Sequence, residues 1–283
     1  MQRNGLHFID VNARSLFHKI TEIRLLSRKT NAAVIAVTET WFDDSYTDNS
    51  VSIDWYCLLR RDTQGHAGGL CCHIRDDMAF NARPDLLNDD WEDLWVEILL
   101  RKSKPYIGVC YRNYKKAKLL KCLENAFTKL RTDCDSILFG DHNLCLVKNK
   151  NKLCKEYRSF LKLYNCMQLI SSPTRVTDKT SSLLYHIFKN NPEKICQLGV
   201  LSVGLSDHYI SFCIMKSIRG QIGRHKTIKI RSMKKYLPSV FLDRLRNANW
   251  FVFTYCEDLN AAWSHFKYIF IGILDEVAPT KHI

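Results

Sequence analysis

The chain is short of acid, of long apolar runs and of paired cysteines, and each shortage narrows what it can be. Against 42 Lys and Arg stand only 29 Asp and Glu, a net charge of +13. An imbalance of that size points to an acidic partner, nucleic acid or an anionic membrane, more than to solubility alone. No uninterrupted apolar window approaches the length that spans a bilayer, so no transmembrane helix is expected. The first residues, Met1-Gln2-Arg3-Asn4-Gly5, lack the apolar segment of a secretory signal. The 12 cysteines include no Cys-x-x-Cys pair, which argues against a zinc ribbon or a redox motif. Cys110 and Cys213 sit inside apolar runs, where cysteine packs as a small hydrophobe. Reduced thiols in the nucleus or cytosol, not a secreted protein, are the expectation.

What is present is ordinary for a globular protein: 283 residues, 46% hydrophobic and 25% charged, enough for one large domain or two modest ones. The organising stretch is Ile137-Leu138-Phe139-Gly140-Asp141-His142-Asn143. An apolar run of strand type ends in a turn that holds a carboxylate and a carboxamide. A plain β-turn uses the same residues, so the weight comes from similar strand ends elsewhere. Strands are expected over 6–11, 32–37, 55–59, 70–74, 91–100, 106–109, 169–170, 183–188, 197–201 and 209–215, with a turn over 65–69. Helical spacing marks 17–29, 117–131 and 155–164. Alternation of strands and helices with added hairpins predicts an α/β fold with mixed sheets. Asn12, Glu39, Tyr111, Asp141, Asn143 and the Asp207-His208 pair all fall at strand edges. If those edges lie on one side, they form one site.

The motifs Asn-Ala-Arg-Ser-Leu (12–16), Thr-Glu-Thr-Trp (38–41), Tyr-Arg (111–112), Gly-Asp-x-Asn (140–143), Ser-Pro-Thr-Arg (172–175) and Ser-Asp-His (206–208) stand in a telling order. Over residues 5–216 the chain resembles the endonuclease/exonuclease/phosphatase family, in wording closest to the endonuclease domain of non-LTR retrotransposons of the LINE type, CR1/jockey-like. The resemblance implies a four-layer sandwich of two mixed β-sheets flanked by helices, and metal-dependent phosphodiester hydrolysis that nicks double-stranded DNA to leave a 3′-hydroxyl. By motif, Glu39 would be the main ligand of Mg²⁺ or Mn²⁺, a hard carboxylate for a hard cation. Asn12 and Asp207 would ligate the metal or hold its waters. Asp141 would deprotonate the attacking water. Asn143 would donate to the phosphate and orient that water, and His208 and Tyr111 would contact the phosphate as charge builds.

The departures from the family's wording matter as much. Where the family has Leu-Leu-Asp-His, this chain reads Leu183-Leu184-Tyr185-His186. Tyr185 supplies no carboxylate, so His208 loses the partner that fixes its tautomer. Gly-Asp-His-Asn replaces the commoner Gly-Asp-Phe-Asn, and His142 is expected to set a cation beside the site. Asn113-Tyr114 follow Tyr111-Arg112 where Pro-Pro is usual, and Ala67-Gly68-Gly69 stands for three glycines. Two readings follow: a weakened endonuclease, or a catalytically dead nucleic-acid-binding relic. A phospholipid or inositol phosphate substrate is a third reading, and the basic runs argue against it. Residues 112–131 hold seven Lys/Arg and one acid, and residues 148–162 hold six and one. Such runs track phosphates in a DNA-binding protein. Residues 217–283 read as a basic linker and a C-terminal helical extension, with helices over 241–250 and 259–277. In the retrotransposon family a similar stretch leads to a reverse transcriptase. The Asp-Asp pairs at 43–44, 76–77 and 89–90 lack the aromatic context of a polymerase site, so the chain reads as truncated before that domain. No membrane and no obligate protein partner are expected.

Overall fold

The structure, a computed structural model, describes residues 5–63, 67–113, 119–146, 152–216, 229–234, 236–255 and 258–282. The chain divides into two compact units, Met1–Arg224 and His225–Ile283. In the first unit the strands are β1 (Leu6–Asn12), β2 (Val34–Thr38), β3 (Tyr56–Arg61), β4 (Leu70–Arg75), β5 (Phe80–Ala82), β6 (Glu92–Ile98), β7 (Tyr106–Tyr111), β8 (Ser136–Asp141), β9 (Met167–Gln168), β10 (Arg175–Val176), β11 (Ser181–Ser182), β12 (Tyr185–Lys189), β13 (Ile195–Leu201) and β14 (Ile210–Met215). The helices are α1 (Ile20–Thr30), the single turn α2 (Asp48–Val51), α3 (Leu119–Phe127) and α4 (Lys152–Leu163).

Two six-stranded sheets result, one ordered β13-β14-β1-β2-β4-β3 and the other β5-β6-β7-β8-β12-β9. Each has a single parallel pair at its centre, β1 with β2 and β7 with β8. A parallel pair needs a crossover, and α1 and α3 supply the two. All other pairings within these sheets are antiparallel. Side-chain alternation then builds the layers. Leu6, Phe8, Val34, Ala36, Val96, Ile98, Ile107, Val109, Ile137, Phe139 and Ile187 meet in one cluster between the sheets. The intervening Ile9, Val11, Ile35 and Val37 pack under Ile20 and Ile23 of α1. Trp95, Cys110, Leu138 and Phe188 do the same under α3 and α4, against Leu123, Ala126, Tyr157 and Phe160. The chain is thus an α/β sandwich of two mixed sheets between helices. Among the described residues no helix is long and apolar enough to cross a membrane.

Details differ from the sequence expectations where tertiary pairing sets the ends. The strand expected at 169–170 is β9, two residues earlier, because Met167 and Gln168 pair with Lys189 and Phe188. The helix expected from 155 begins at Lys152. The helix expected over 117–131 is Leu119–Phe127, and residues 117–118 lie outside the described residues. So do 64–66 of the expected turn, Lys115, Lys116, Lys118, Lys148 and Lys150 of the basic runs, and 217–228 of the expected linker. In the second unit β15 (Lys229–Arg231) pairs antiparallel with β16 (Thr280–His282). It also carries α5 (Pro238–Arg246) and α6 (Leu259–Val277), whose first turn is capped by the Asp258 side chain accepting from Ala261 N at 2.8 Å.

One glycine is essential to how β8 ends. Gly140 has φ 147°, and a Cβ there would stand 2.0 Å from the Cys110 carbonyl oxygen on the parallel neighbour β7. That neighbour is backbone and cannot swing aside. Gly140→Ala should therefore destabilise the first unit by on the order of 3 kcal/mol, combining strain at an unfavourable φ with overpacking. Urea unfolding followed by tryptophan fluorescence measures it, and a loss under about 1 kcal/mol would show that β7 and β8 can part locally.

Candidate active site

The inward-facing rows of the sandwich do not stop where the apolar residues stop. Leu6 and Phe8 are followed by Asp10 and Asn12, Val34 and Ala36 by Thr38, Ile107 and Val109 by Tyr111, Ile137 and Phe139 by Asp141. Parallel β1 and β2 end level, with Asn12 beside Thr38. Parallel β7 and β8 end level too, with Tyr111 beside Asp141. Antiparallel β12 begins at the same level, Tyr185 opposite Asp141. Two side-chain contacts join the sheets at this end. Asn12 Nδ2 donates to Glu39 Oε1 at 2.7 Å and lies 3.3 Å from Asp141 Oδ2. Thr38 Oγ1 and the Tyr185 hydroxyl are 3.4 Å apart. Above them opens a cleft of about 320 Å³ lined by Arg14, Glu39, Ala67, Tyr111, Asn113, Asp141, Asn143, Arg175 and His208.

The loops over the cleft are strained and pinned. Arg14, Ser15, Glu39 and Trp41 have φ between 42° and 75°, four of the five residues other than Gly and Asn with positive φ among those described. Such conformations persist only where the surroundings enforce them. Here Thr40 N and Trp41 N donate to the carbonyls of Gly69 and Gly68, and Gly69 N donates to Glu92 Oε2 at 2.6 Å. The Ser-Pro-Thr-Arg segment ties the other side. Thr174 Oγ1 accepts from both Leu184 N and Tyr185 N at 3.0 Å, and Tyr209 N donates to the Thr174 carbonyl. Ser206 Oγ donates to the Asn12 carbonyl and accepts from His208 N.

The charges are arranged unevenly. Both Asp207 oxygens are taken, Oδ1 by Arg14 Nη1 and Oδ2 by Arg175 Nε, each at 2.8 Å. Burial pushes the Asp207 carboxyl up, but the two arginine hydrogen bonds outweigh it and hold the group at about 2. Burial drives Asp141 the other way, up to about 7, with the Glu39 charge adding to the rise and the Asn143 backbone N–H, at 2.9 Å, opposing it. Tyr111 is pushed up by burial and by Glu39, Asp141 and Glu92, so its phenol keeps its proton and donates. His208 is pulled down to about 4, mainly by burial against the opposing pull of Asp207, with Arg175 and Arg14 lowering it further. Its Nδ1 is buried with no hydrogen-bond partner, and the Tyr185 ring stands edge-on to it with centroids 5.3 Å apart.

Of the residues expected to form one site, the cleft wall contains Glu39, Tyr111, Asp141, Asn143 and His208, with Asn12 beneath and Asp207 at the side. Asn143 Nδ2 donates to the Arg112 carbonyl at 2.8 Å. His142 is a correction. It was expected as a cation beside the site, but next to Asp141 on a strand end it points to the opposite face. There it stacks on His186 at 4.9 Å and meets the Tyr157 hydroxyl at 3.0 Å, fully buried, with burial pushing its pKa well below the usual range. Sequence reasoning gave no role to Arg14 and Arg175, although both stand inside quoted motifs. It also passed over Asp10, buried in the row beneath Asn12 with one oxygen unpartnered. Burial, and next the Asp141 charge, push that acid well above its ordinary range.

The donor set bears on how a divalent cation could be held. Among the described residues no three His, Cys, Asp or Glu side chains converge as a closed cage. Asn12 Oδ1 accepts from Arg14 N at 3.0 Å, and the arginines occupy Asp207. Glu39 and, across the Asn12 bridge, Asp141 are the carboxylates that face the cleft. This suits Mg²⁺, which keeps several waters and is held by one or two carboxylates together with substrate phosphate.

The Asp141 environment gives a pH-dependent expectation. A carboxyl whose folded pKa is raised contributes stability below its unfolded value, near 3.9, and loses it as pH rises through about 7. Asp141→Asn should therefore gain on the parent chain between pH 5 and pH 8.5, in EDTA, by roughly 2 to 3 kcal/mol. Urea unfolding of both proteins at both pH values measures the difference. A gap that stays constant would mean that Asp141 is already ionised at pH 5.

Comparison with known proteins adds the fold. No protein-family model matches the chain, and no characterised protein matches it in sequence. Solved structures do match. The endonuclease domain of TRAS1, a telomere-specific non-LTR retrotransposon, superposes with a TM-score of 0.62 at 16% identity, over 75% of this chain and 98% of that one. The AP endonuclease LMAP from Leishmania major gives 0.62 at 10% identity, over 76% and 89%. The 3′ phosphatase NExo from Neisseria, bound to a product DNA hairpin, gives 0.56 at 12% identity, over 74% and 99%. The chain shares its α/β sandwich fold with these endonuclease and phosphatase structures.

Proposed function

We propose that this chain is a divalent-metal-dependent phosphodiesterase acting on double-stranded DNA, a nicking endonuclease of non-LTR retrotransposon type whose rate Tyr185 depresses. The observation that carries the reading is the Asn12 bridge, which holds Glu39 of one sheet and Asp141 of the other at one cleft. The likeness to the TRAS1 endonuclease supports the retrotransposon origin. The net charge of +13 supports a polyanionic substrate over a small phosphate ester. On this reading residues 5–216 carry the activity, and residues 217–283 are the basic and helical stretch of the kind that leads to a reverse transcriptase.

Mg²⁺ or Mn²⁺ would be held by Glu39, with Asn12 keeping Glu39 in place and Asp207 at the edge of its water shell. When bound, it would supply Lewis-acid stabilisation of the charge on phosphate and leaving oxygen. The chain's own groups supply the rest. Asp141, fixed by Asn143 N and Asn12, takes the proton of the attacking water as its oxygen bonds to phosphorus. The bond to the 3′ oxygen breaks, and that oxygen leaves as a 3′-hydroxyl after taking a proton from solvent water, while the phosphate stays on the 5′ side. Asn143 and the protonated Tyr111 donate to the phosphate oxygens, and Arg14 and Arg175 offset their growing charge. His208 contributes in proportion to how well its ring is aimed.

That last point favours the relic as the second reading, because His208 Nδ1 is buried without a partner. A carboxylate at position 185 would stand where the orphan nitrogen needs an acceptor and would favour the aimed imidazolium. Tyr185→Asp should raise single-turnover nicking of supercoiled plasmid by roughly 10- to 1000-fold. The new carboxylate also approaches Asp141 and Asp10, whose charges already act on Tyr185, so the lower half of that range is expected. Glu39→Ala in the Tyr185→Asp background, or EDTA, should abolish the gain. An unchanged rate in a parent chain that nicks well would clear Tyr185 of blame. Absence of nicking from every variant with either metal would establish the relic.

A further inference from the structure

Two arginines of the cleft wall leave most of their bonding capacity unspent. Arg14 gives Nη1 to Asp207 Oδ1 and Arg175 gives Nε to Asp207 Oδ2, each at 2.8 Å. Among the described residues neither guanidinium makes a second hydrogen bond. Arg75 and Arg83 behave otherwise, each gripping one carboxylate with Nε and Nη2 together. That two-pronged mode is the one that makes an arginine pair strong. Arg14 and Arg175 instead divide a single carboxylate between them, one oxygen each, and keep the remaining N–H groups of both forks free.

The backbones beneath these side chains are fixed. Arg14 N donates to Asn12 Oδ1 at 3.0 Å, and Lys19 Nζ donates to the carbonyls of Ala13 and Arg14. Arg175 pairs with Ser182 across β10 and β11, and bridges to His208. The side chains are less confined, with Arg14 46% and Arg175 38% exposed. Ion pairs open to solvent hold weakly. Both arginines line the cleft beside Glu39, Asp141 and His208, whereas Asp207 is set to the side. Two forks brought from separate loops onto one small anion make an anion site, and the anion in it belongs to the chain itself.

On the reading of the cleft as a phosphodiesterase site for DNA, we propose that Arg14 and Arg175 form a subsite for a backbone phosphate of the bound strand, and that Asp207 fills this subsite until the substrate phosphate displaces it. A phosphodiester carries bridging as well as free oxygens, so both forks can close on it without sharing one pair of atoms. Guanidinium forks match phosphate in this way better than they match a carboxylate held one oxygen to each. The strand, once drawn to the basic chain, presents its phosphates at high local concentration. Displacement releases Asp207 for the metal-side role that the family resemblance gives it.

Fluorescence anisotropy of a labelled double-stranded oligonucleotide with the full chain in EDTA measures binding without cleavage. Removing any negative charge from the cleft favours a polyanion, so Glu39→Gln is the control. In the parent chain Asp207→Asn should tighten binding roughly tenfold beyond that control, because both forks lose their internal occupant. Asp207→Ser serves if the first variant misfolds. The double variant Arg14→Gln/Arg175→Gln should bind more weakly, and Asp207→Asn added to it should gain no more than Glu39→Gln does there. An excess that survives the loss of both arginines, or Asp207 variants that bind no better than the control, overturns the proposal. Both of those outcomes leave the DNA reading of the cleft standing, whereas binding by no variant sinks that reading and the subsite with it.

Discussion

One carboxamide bridges the two halves of the sandwich at the cleft end. Asn12 reaches Glu39 on its own side and Asp141 on the other, and the two acids repel each other across it. Two anions this close are tolerable only where donors are aimed at them from fixed positions. The level ends of the two parallel pairs provide those positions, and the strained loops at Arg14, Glu39 and Trp41 add to them. Asp207 and its two arginines extend the same principle to the rim, where opposite charges restrain side chains that would otherwise sweep the solvent.

The sandwich encloses more polarity than its apolar core requires. Asp10 lies in the inter-sheet row with an orphan oxygen, and Tyr185 stands near enough for the two to influence each other. Behind the other sheet, Tyr157 bridges His142 and His186 at 3.0 and 2.6 Å, with Cys110 Sγ 3.2 Å from His142. At the far end of β8 and β12, Lys189 is fully buried on Asp135, which also binds Lys194. Buried groups of this kind cost stability unless each is satisfied. Unpartnered polar atoms remain near the cleft, at Asp10 and His208, and away from it, at His73 and His186.

Alternation made much of this legible before any coordinates. The apolar rows that identify Ile137–Phe139 or Val34–Ala36 as strands also fix which face their next residue takes, so Asp141 and Thr38 follow from parity. His142 was misplaced for the reverse reason: its closeness in sequence to Asp141 was given more weight than the period of two that sends it behind the sheet. Arg14 and Arg175 had no visible role because their partner, Asp207, is distant in sequence and lies on a loop without periodicity. The two-residue strands β10 and β11 escaped, and β9 was placed two residues late, because pairing, not composition, makes them strands.

The rows that run from core into cleft limit how such a protein can decay. Inserting or deleting one residue in β1, β2, β7 or β8 would turn apolar side chains outward and cleft side chains inward together. Frame slips within those strands therefore remove fold and chemistry in one event, and leave no folded intermediate for selection or drift to act on. Substitution at the last residue of a row is different: it changes the chemistry and spares the packing below. Position 185, the first residue of its row, stands at that boundary between core and cleft and is fully buried in the present chain.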